Sequence, residues 1–260
     1  ECSLKEIKKI RVKTDLEIEA FVHGAMCIAV SGRCFMSHHL FGKSANRGEC
    51  IQPCRREYEV YDAAIKKSMI VGEDYIMSPQ DLCAIEFIDK LIESGIDSFK
   101  IEGRKRSPEY VATTVSVYRN AIDDYFKGTL TSDKKKEYLE KLTTVFNRGF
   151  SSGFYLGIPS SDEYADIYGS KATTRKEYIG KVINYYKKNK IAYISIETGT
   201  LQKDDDILII GPTTGVVELK LNQIINEEVI VPSASKGERV TFLCSQLVRP
   251  QDTVYAIKQV

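Results

Sequence analysis

The chain has no apolar run approaching the roughly 18 residues that a membrane-spanning helix needs. Nothing in it resembles a secretory leader, so a soluble, cytoplasmic protein is expected. Charge imbalance is also missing: 37 Lys and Arg stand against 36 Asp and Glu, a net charge of +1. A chain so balanced has no global field to draw it to nucleic acid or lipid, and any basic surface must be local. No CxxC pair occurs, which excludes a zinc ribbon. The seven cysteines are odd in number, as fits reduced thiols better than a disulfide framework.

What is present is unevenly spread. Residues 23–54, HGAMCIAVSGRCFMSHHLFGKSANRGECIQPC, hold Cys27, Cys34, Cys50 and Cys54 together with every histidine in the chain, with glycines between them. The spacing is Cys27-x6-Cys34-x15-Cys50-x3-Cys54, with Cys83 further on. Thiolates are soft ligands that suit an iron–sulfur cluster or zinc when several converge from loops. The alternative is that these are buried small apolar side chains. His38 and His39, close after Cys34, raise a nucleophile–base pair as another alternative, but no local signature of a cysteine protease surrounds any of the cysteines. His23 reads either as a polar residue at a strand end or as a catalytic group.

Along the chain, Ser3 and Glu6 form a capping box for a helix with Leu4, Ile7 and Ile10 on one side. The start at Glu1, without methionine and almost inside this helix, reads as a portion of a longer protein. Leu16 to Val22 alternates as a strand, with Glu17, Glu19, Phe21 and His23 on a face expected to line a polar cavity or meet basic partners. Short strands are expected at Glu57 to Tyr61 and near Asp74 to Met77. Ser78 and Pro79 predict a helix carrying Cys83 in its first turns and ending at Gly95, followed by a strand at Asp97 to Glu102, a βαβ pattern. Ser107-Pro108-Glu109 opens a helix to about Phe126, and another is expected from Ser132 to Val145.

The glycine-punctuated NRGFSSGFYLG, Asn147 to Gly157, reads as an irregular connector whose aromatics pack between domains. From Glu177 onward short β-rich runs predict a small closed barrel or sandwich. The expected organisation is therefore an α/β domain over 1–157, a linker over 158–176 and an all-β domain over 177–260. Within KIEGRKRSPEY, Lys100 and Glu102 sit at a strand end and Arg104 to Arg106 in the following turn, poised for a phosphate or carboxylate. Arg55 and Arg56 would join this patch if the loops meet. The alternative for Lys105 and Arg106 is a solvated turn.

EAFVHGAMCIAVSGRCFMS, RGECIQPCRREYE, DLCAIEFIDKLIESGIDSFKIEGRKRSPEYVATTVSVYRNAID and NRGFSSGFYLG together resemble the conserved blocks of peptidase family U32, the collagenase-like peptidases of unknown catalytic type. The resemblance implies the C-terminal portion of a (β/α) TIM-type barrel followed by a small β-barrel similar to domain 2 of elongation factors. It also implies a choice of activities. Some members are named collagenases, others are prephenate-dependent tRNA uridine 5-hydroxylases, and others serve in ubiquinone hydroxylation with a four-iron four-sulfur cluster. By that resemblance the cluster falls on Cys27, Cys34, Cys50 and Cys83, with Cys54 as an alternate ligand. Under the hydroxylase reading Arg55, Arg56, Arg104 and Lys100 bind RNA phosphates or the carboxylates of prephenate, and Glu102 and His23 orient substrate or move protons. The expected partners are tRNA and either a second family member or an upstream half of the same protein. The alternatives are a collagenase-like peptidase and an inactive fragment serving as an interaction module.

Overall fold

Helix α1 (Leu4–Arg11) begins at its predicted cap. The Ser3 hydroxyl accepts the Glu6 N–H at 3.3 Å, and the Glu6 carboxylate accepts the Ser3 N–H at 2.8 Å. The computed structural model describes residues 1–30, 33–56, 58–71, 77–159, 163–167 and 169–260. It divides them into two compact units, residues 1–106 with 113–172 and residues 107–112 with 173–260.

The chain is mixed α/β. After α1, the first unit contains β1 (Glu19–Gly24), α2 (Met36–Phe41), the hairpin β2 (Tyr58–Asp62) and β3 (Lys67–Val71), then β4 (Asp81–Cys83), α3 (Ile88–Glu93) and β5 (Ser98–Ile101). Helix α4 (Pro108–Phe126), whose residues 108–112 group with the second unit, helix α5 (Ser132–Thr143) and the short β6 (Phe150–Ser151) follow. Four strands form one sheet in the order β5-β1-β4-β6. The β1–β5 and β4–β6 pairs are parallel, whereas β1 and β4 meet antiparallel at His23 opposite Cys83 and Gly24 opposite Leu82. That last pairing departs from the all-parallel sheet of a (β/α) barrel. Val22, Ala84, Ile85, Ile88, Leu91, Ala121 and Leu142 form the centre of the core.

Two local expectations fail for identifiable reasons. The helix predicted from Ser78 starts later, because the Ser78 hydroxyl and the Pro79 carbonyl both accept from the Arg55 guanidinium, and residues 81–83 pair with β1 and β6. Cys83 is therefore a strand residue, and only Ile88–Glu93 is α-helical. The connector at Asn147–Gly157 supplies β6, and its aromatics pack inside the first unit: Phe150 lies 5.5 Å from the His23 ring and Tyr155 lies 5.8 Å from Phe87. The strand expected near Asp74 to Met77 falls, apart from Met77, outside the described residues.

The second unit is an antiparallel β structure. Its strands are β7 (Thr174–Tyr186), β8 (Ile191–Ile196), β9 (Thr200–Gln202), β10 (Asp206–Gly211), β11 (Gly215–Lys220), β12 (Ile224–Asn226), β13 (Val229–Val231), β14 (Ser233–Ser235), β15 (Arg239–Leu243) and β16 (Thr253–Gln259). Eight of them form one sheet in the order β11-β10-β16-β7-β8-β15-β12-β13, and β9 pairs with β14. The alternation predicted from sequence is visible in β8, where Ala192, Ile194 and Ile196 are buried and their neighbours are not. Among the described residues no helix is long and apolar enough to cross a membrane.

Gly180 marks the tightest approach in this sheet. A Cβ there would stand 1.8 Å from the Ser195 carbonyl oxygen across the β7–β8 pair. Gly180→Ala should lower the stability of the second unit by about 3 kcal/mol, read as a fall in its thermal unfolding midpoint. An unchanged midpoint would mean that the two strands part at no cost.

Candidate functional site

The cysteine loop leaves the end of β1 through Gly24, whose φ of +123 is closed to other residues and whose Cβ would lie 2.6 Å from the Glu102 Cβ. The Glu102 N–H donates to the His23 carbonyl at 2.9 Å, so the ends of β1 and β5 are locked together where the loop begins. From there the loop is pinned by polar contacts. The buried Ser37 hydroxyl accepts the Ile51 N–H at 3.2 Å, and the Arg56 guanidinium lies 4.7 Å over the Phe41 ring. Arg55 is buried; besides Ser78 at 3.0 Å and the Pro79 carbonyl at 2.8 Å, it donates to the Met26 carbonyl. Arg55 thus fastens both ends of the loop to the start of β4. The exposed Arg104 packs its guanidinium against Gly48 of the same loop. Ser31 and Gly32 lie outside the described residues.

Four thiols share one neighbourhood. Burial pushes the Cys54 thiol up, Arg55 opposes this, and Cys27, Cys50 and Cys34 push in the same direction as burial. Backbone N–H groups are aimed at two of the sulfurs, from Ala29 to Cys27 at 3.4 Å and from Gln52 to Cys50 at 3.3 Å. Cys83 has a different setting. It is buried, its Sγ lies 3.8 Å from the Tyr118 hydroxyl, and burial pushes its thiol up to about 11. No three His, Cys, Asp or Glu side chains among the described residues converge tightly enough for a single metal ion. A polynuclear cluster makes a different demand, because each thiolate binds a different iron and the sulfurs stand further apart. Several soft donors with N–H groups directed at their sulfurs fit such a group.

Beside the thiols stands a buried charge network that sequence reading missed. Asp81, 1% exposed, is held 3.3 Å from Arg106 on one oxygen and 3.3 Å from Arg148 on the other. Both guanidiniums flank the Phe146 ring, at 4.1 Å and 4.9 Å. Arg148 reaches on to the Gln52 amide oxygen at 3.1 Å, inside the Cys50–Cys54 segment. Burial holds Arg148 below the usual guanidinium range; Asp81 counteracts this while Arg55 and Arg106 add to it. Two arginines, the buried Arg148 and the half-buried Arg106, therefore flank one buried carboxylate. Arg106 was expected either to bind a substrate anion or to lie in a solvated turn, and it instead pairs with Asp81 inside the protein, whereas Asp81 and Arg148 carried no motif. The one available signal was a charged residue, Arg148, inside an otherwise small and aromatic segment.

A cleft of about 560 Å³ opens next to the loop, lined by Ala20, Phe21, His23, Cys27, Glu102 and Tyr155 among others. His23 is buried against Tyr118, whose hydroxyl donates to the Val22 carbonyl at 2.8 Å and accepts the Ala84 N–H at 3.0 Å. The same hydroxyl lies 3.3 Å from His23 Nδ1 and 3.8 Å from Cys83 Sγ. Burial, with Arg106 adding to it, lowers the His23 pKa to about 3. The imidazole is neutral at physiological pH. Glu102 lines the cleft and accepts the Arg104 N–H at 3.0 Å; Lys100 pairs with Glu19 at 2.7 Å and lies 5.2 Å over Phe21. His38 and His39 are exposed on α2.

The sequence profile of Peptidase family U32 matches residues 1–164. A protein named "Collagenase" from Porphyromonas gingivalis is 45% identical over 240 residues, covering 92% of this chain and 58% of that protein. "tRNA hydroxylation protein P1" from Bacillus subtilis is 42% identical over 217 residues, covering 82% of this chain and 51% of its own length. The chain thus spans little more than half of these curated relatives. Among solved structures, the C-terminal domain of a Geobacillus thermoleovorans protein described as a U32 peptidase aligns with a TM-score of 0.30 and 18% identity, covering 31% of this chain and 91% of that one.

Removing the Asp81 charge leaves buried guanidiniums without their carboxylate. Asp81→Asn should cost the first unit about 3–5 kcal/mol in denaturant unfolding and speed alkylation of Cys54; wild-type values for both would show that the network does not hold the loop. His23 supplies a pH signature. Its folded pKa lies near 3 against 6.5 when unfolded, so below pH 6.5 the unfolded state takes up the proton first. Stability of the first unit should fall as pH drops from 6.5 toward 3, and His23→Gln should remove about one proton from that slope. Titration of the His23 ring near 6.5 by NMR in the folded protein would contradict this.

Proposed function

Because the chain belongs to peptidase family U32, we propose that it serves in tRNA modification, as a component of a prephenate-dependent tRNA uridine 5-hydroxylase whose cysteine loop holds a four-iron four-sulfur cluster. The carrying observation is the shared neighbourhood of Cys27, Cys34, Cys50 and Cys54 beside the buried Arg55 and Arg148. These four thiols would hold the cluster. Cys54 takes the fourth position in preference to Cys83, since Cys54 stands among the other three and Cys83 lies against Tyr118. When bound, the cluster supplies one-electron transfer.

The chain's own residues have separate tasks in this reading. Arg56 and Arg104, with exposed side chains, bind RNA phosphate or the carboxylates of prephenate. Arg55 holds the loop closed, so its part is positioning. Glu102, at the cleft wall, orients substrate. His23 presents a neutral ring at the cleft, with its Nδ1 set 3.3 Å from the Tyr118 hydroxyl. The four-stranded sheet is taken as part of a (β/α) barrel, and the second unit as the counterpart of elongation-factor domain 2.

A collagenase-like peptidase is the second reading, favoured by the 45% identity to the Porphyromonas gingivalis protein of that name. A histidine general base for cysteine attack would need a basic ring, and burial beside Arg106 works against that at His23.

Anaerobic purification of the full-length protein decides between the two. Expected are iron and sulfide, a visible absorption band, their loss in Cys27→Ala, Cys34→Ala, Cys50→Ala and Cys54→Ala, and their retention in Cys83→Ala. A deletion strain should lack tRNA 5-hydroxyuridine and regain it with wild type but not with Cys27→Ala. A colourless, iron-free protein that cleaves gelatin after chelation, and stops on Cys34→Ala, would establish the peptidase instead.

A further inference from the structure

The second unit carries a feature that neither the cysteine loop nor the cleft uses. Strands β7 and β8 are joined by a tight turn in which the Asn189 N–H donates to the Tyr186 carbonyl at 3.2 Å and Lys190 adopts a φ of +54. The turn presents Lys187, Lys188 and Lys190, all exposed. None of the three has an ion-pair partner among the described residues. The nearest acidic residues along the two strands are Glu177 and Glu197. At strand rise, roughly 23 Å separates Lys190 from Glu197, nearly three Debye lengths at physiological salt, each about 8 Å. In a chain with net charge +1, this tip is a cationic point that its own strands do not neutralise.

Next to the lysines lies an apolar row. Tyr186 pairs with Ile191 across β7–β8, and Ile191 pairs with Leu243 across β8–β15. Directly paired residues on neighbouring strands point to the same face, so the three side chains stand side by side. Tyr186 is 47% exposed and Leu243 68% exposed, so the row faces solvent. The Cys244 N–H donates to the Lys190 carbonyl at 2.8 Å and the Tyr185 hydroxyl to the Cys244 carbonyl at 3.0 Å. The turn and the chain after β15 are thereby one ordered surface before any partner arrives.

We infer that this hairpin tip is an RNA-docking surface, in which Lys187, Lys188 and Lys190 take phosphates while Tyr186, flanked by Ile191 and Leu243, stacks on an unpaired base. Cations beside an exposed ring on a rigid β platform are the combination that single-stranded nucleic acid requires, since the backbone offers phosphates and every base offers a flat face. The row is only one aromatic ring and two aliphatic side chains wide, which suits a single base. The inference rests on the tRNA reading above and names the surface in the second unit that would hold the RNA.

The test is fluorescence anisotropy of labelled tRNA with the full chain over a series of salt concentrations, with anionic phosphatidylserine vesicles as a competing ligand. K187A/K188A/K190A should weaken binding at least tenfold and reduce the slope of log affinity against log salt by about 2, near 0.7 per lost lysine. Tyr186→Ala should weaken binding about tenfold and leave the slope unchanged, with folding checked by circular dichroism. K5A/K8A/K9A on α1 removes equal charge elsewhere and should change neither. Hairpin variants that bind tRNA like wild type, or that lose no more than the α1 variant, would overturn the inference and leave the tRNA reading standing. Vesicles bound as tightly as tRNA, through the same lysines, would overturn it in favour of a lipid surface. Failure of the wild-type protein to bind tRNA at low salt would remove the tRNA reading itself, and the docking surface with it.

Discussion

The first unit depends on one buried carboxylate. Asp81 sits in a three-residue strand and is almost inaccessible, yet it holds Arg106 from the turn after β5 and Arg148 from the segment before β6. A charge in that position is costly unless paired, and the pairing adds little net stability over apolar packing. What it adds is specificity. Arg148 carries the constraint to Gln52, and Arg55 ties Met26, Ser78 and Pro79 together, so the loop cannot shift without unpairing buried charge.

This constraint also explains the local secondary structure. Helix formation from Ser78 would need the Ser78 side chain as a cap and the residues after Pro79 in the first turn. Arg55 occupies the hydroxyl, and pairing with β1 and β6 extends residues 81–83, which puts Asp81 between the two arginines. The helix is left with Ile88–Glu93, short enough to rely on the burial of Ile88 and Leu91 for its stability. Tertiary charge pairing has overridden a good local start signal.

Much else was legible from residue patterns. The Ser3 and Glu6 box, the Ser107-Pro108 helix start and the alternation in β8 and β15 rest on interactions within a few residues, and these could be read directly. The cysteine loop was legible as a candidate site because no packing rule gathers four thiols and every histidine into one stretch. Asp81 and Arg148 were not, because they are 67 residues apart and neither belongs to a periodic pattern. Their significance exists only once the β4–β6 pairing has formed. His23 was ambiguous for a related reason: a strand-end histidine is polar by identity, but Phe150 and Tyr118, which bury it, come from distant segments.

The same electrostatics weigh on the choice between activities. A histidine base needs a neighbourhood that tolerates a positive ring, whereas Arg106 and burial make that charge unfavourable at His23. Thiolates need the opposite, a site that tolerates negative charge. Burial and the neighbouring thiols hold the Cys54 thiol up against the pull of Arg55, and two guanidiniums, those of Arg106 and Arg148, pair with the single Asp81 carboxylate. A thiolate-bound iron–sulfur group is anionic, so the cluster proposed for this loop would draw on Arg55 beside Cys54, whereas Arg106 opposes a protonated imidazole at His23. The buried charge that fixes the loop's shape therefore also bears on the cluster proposed for it.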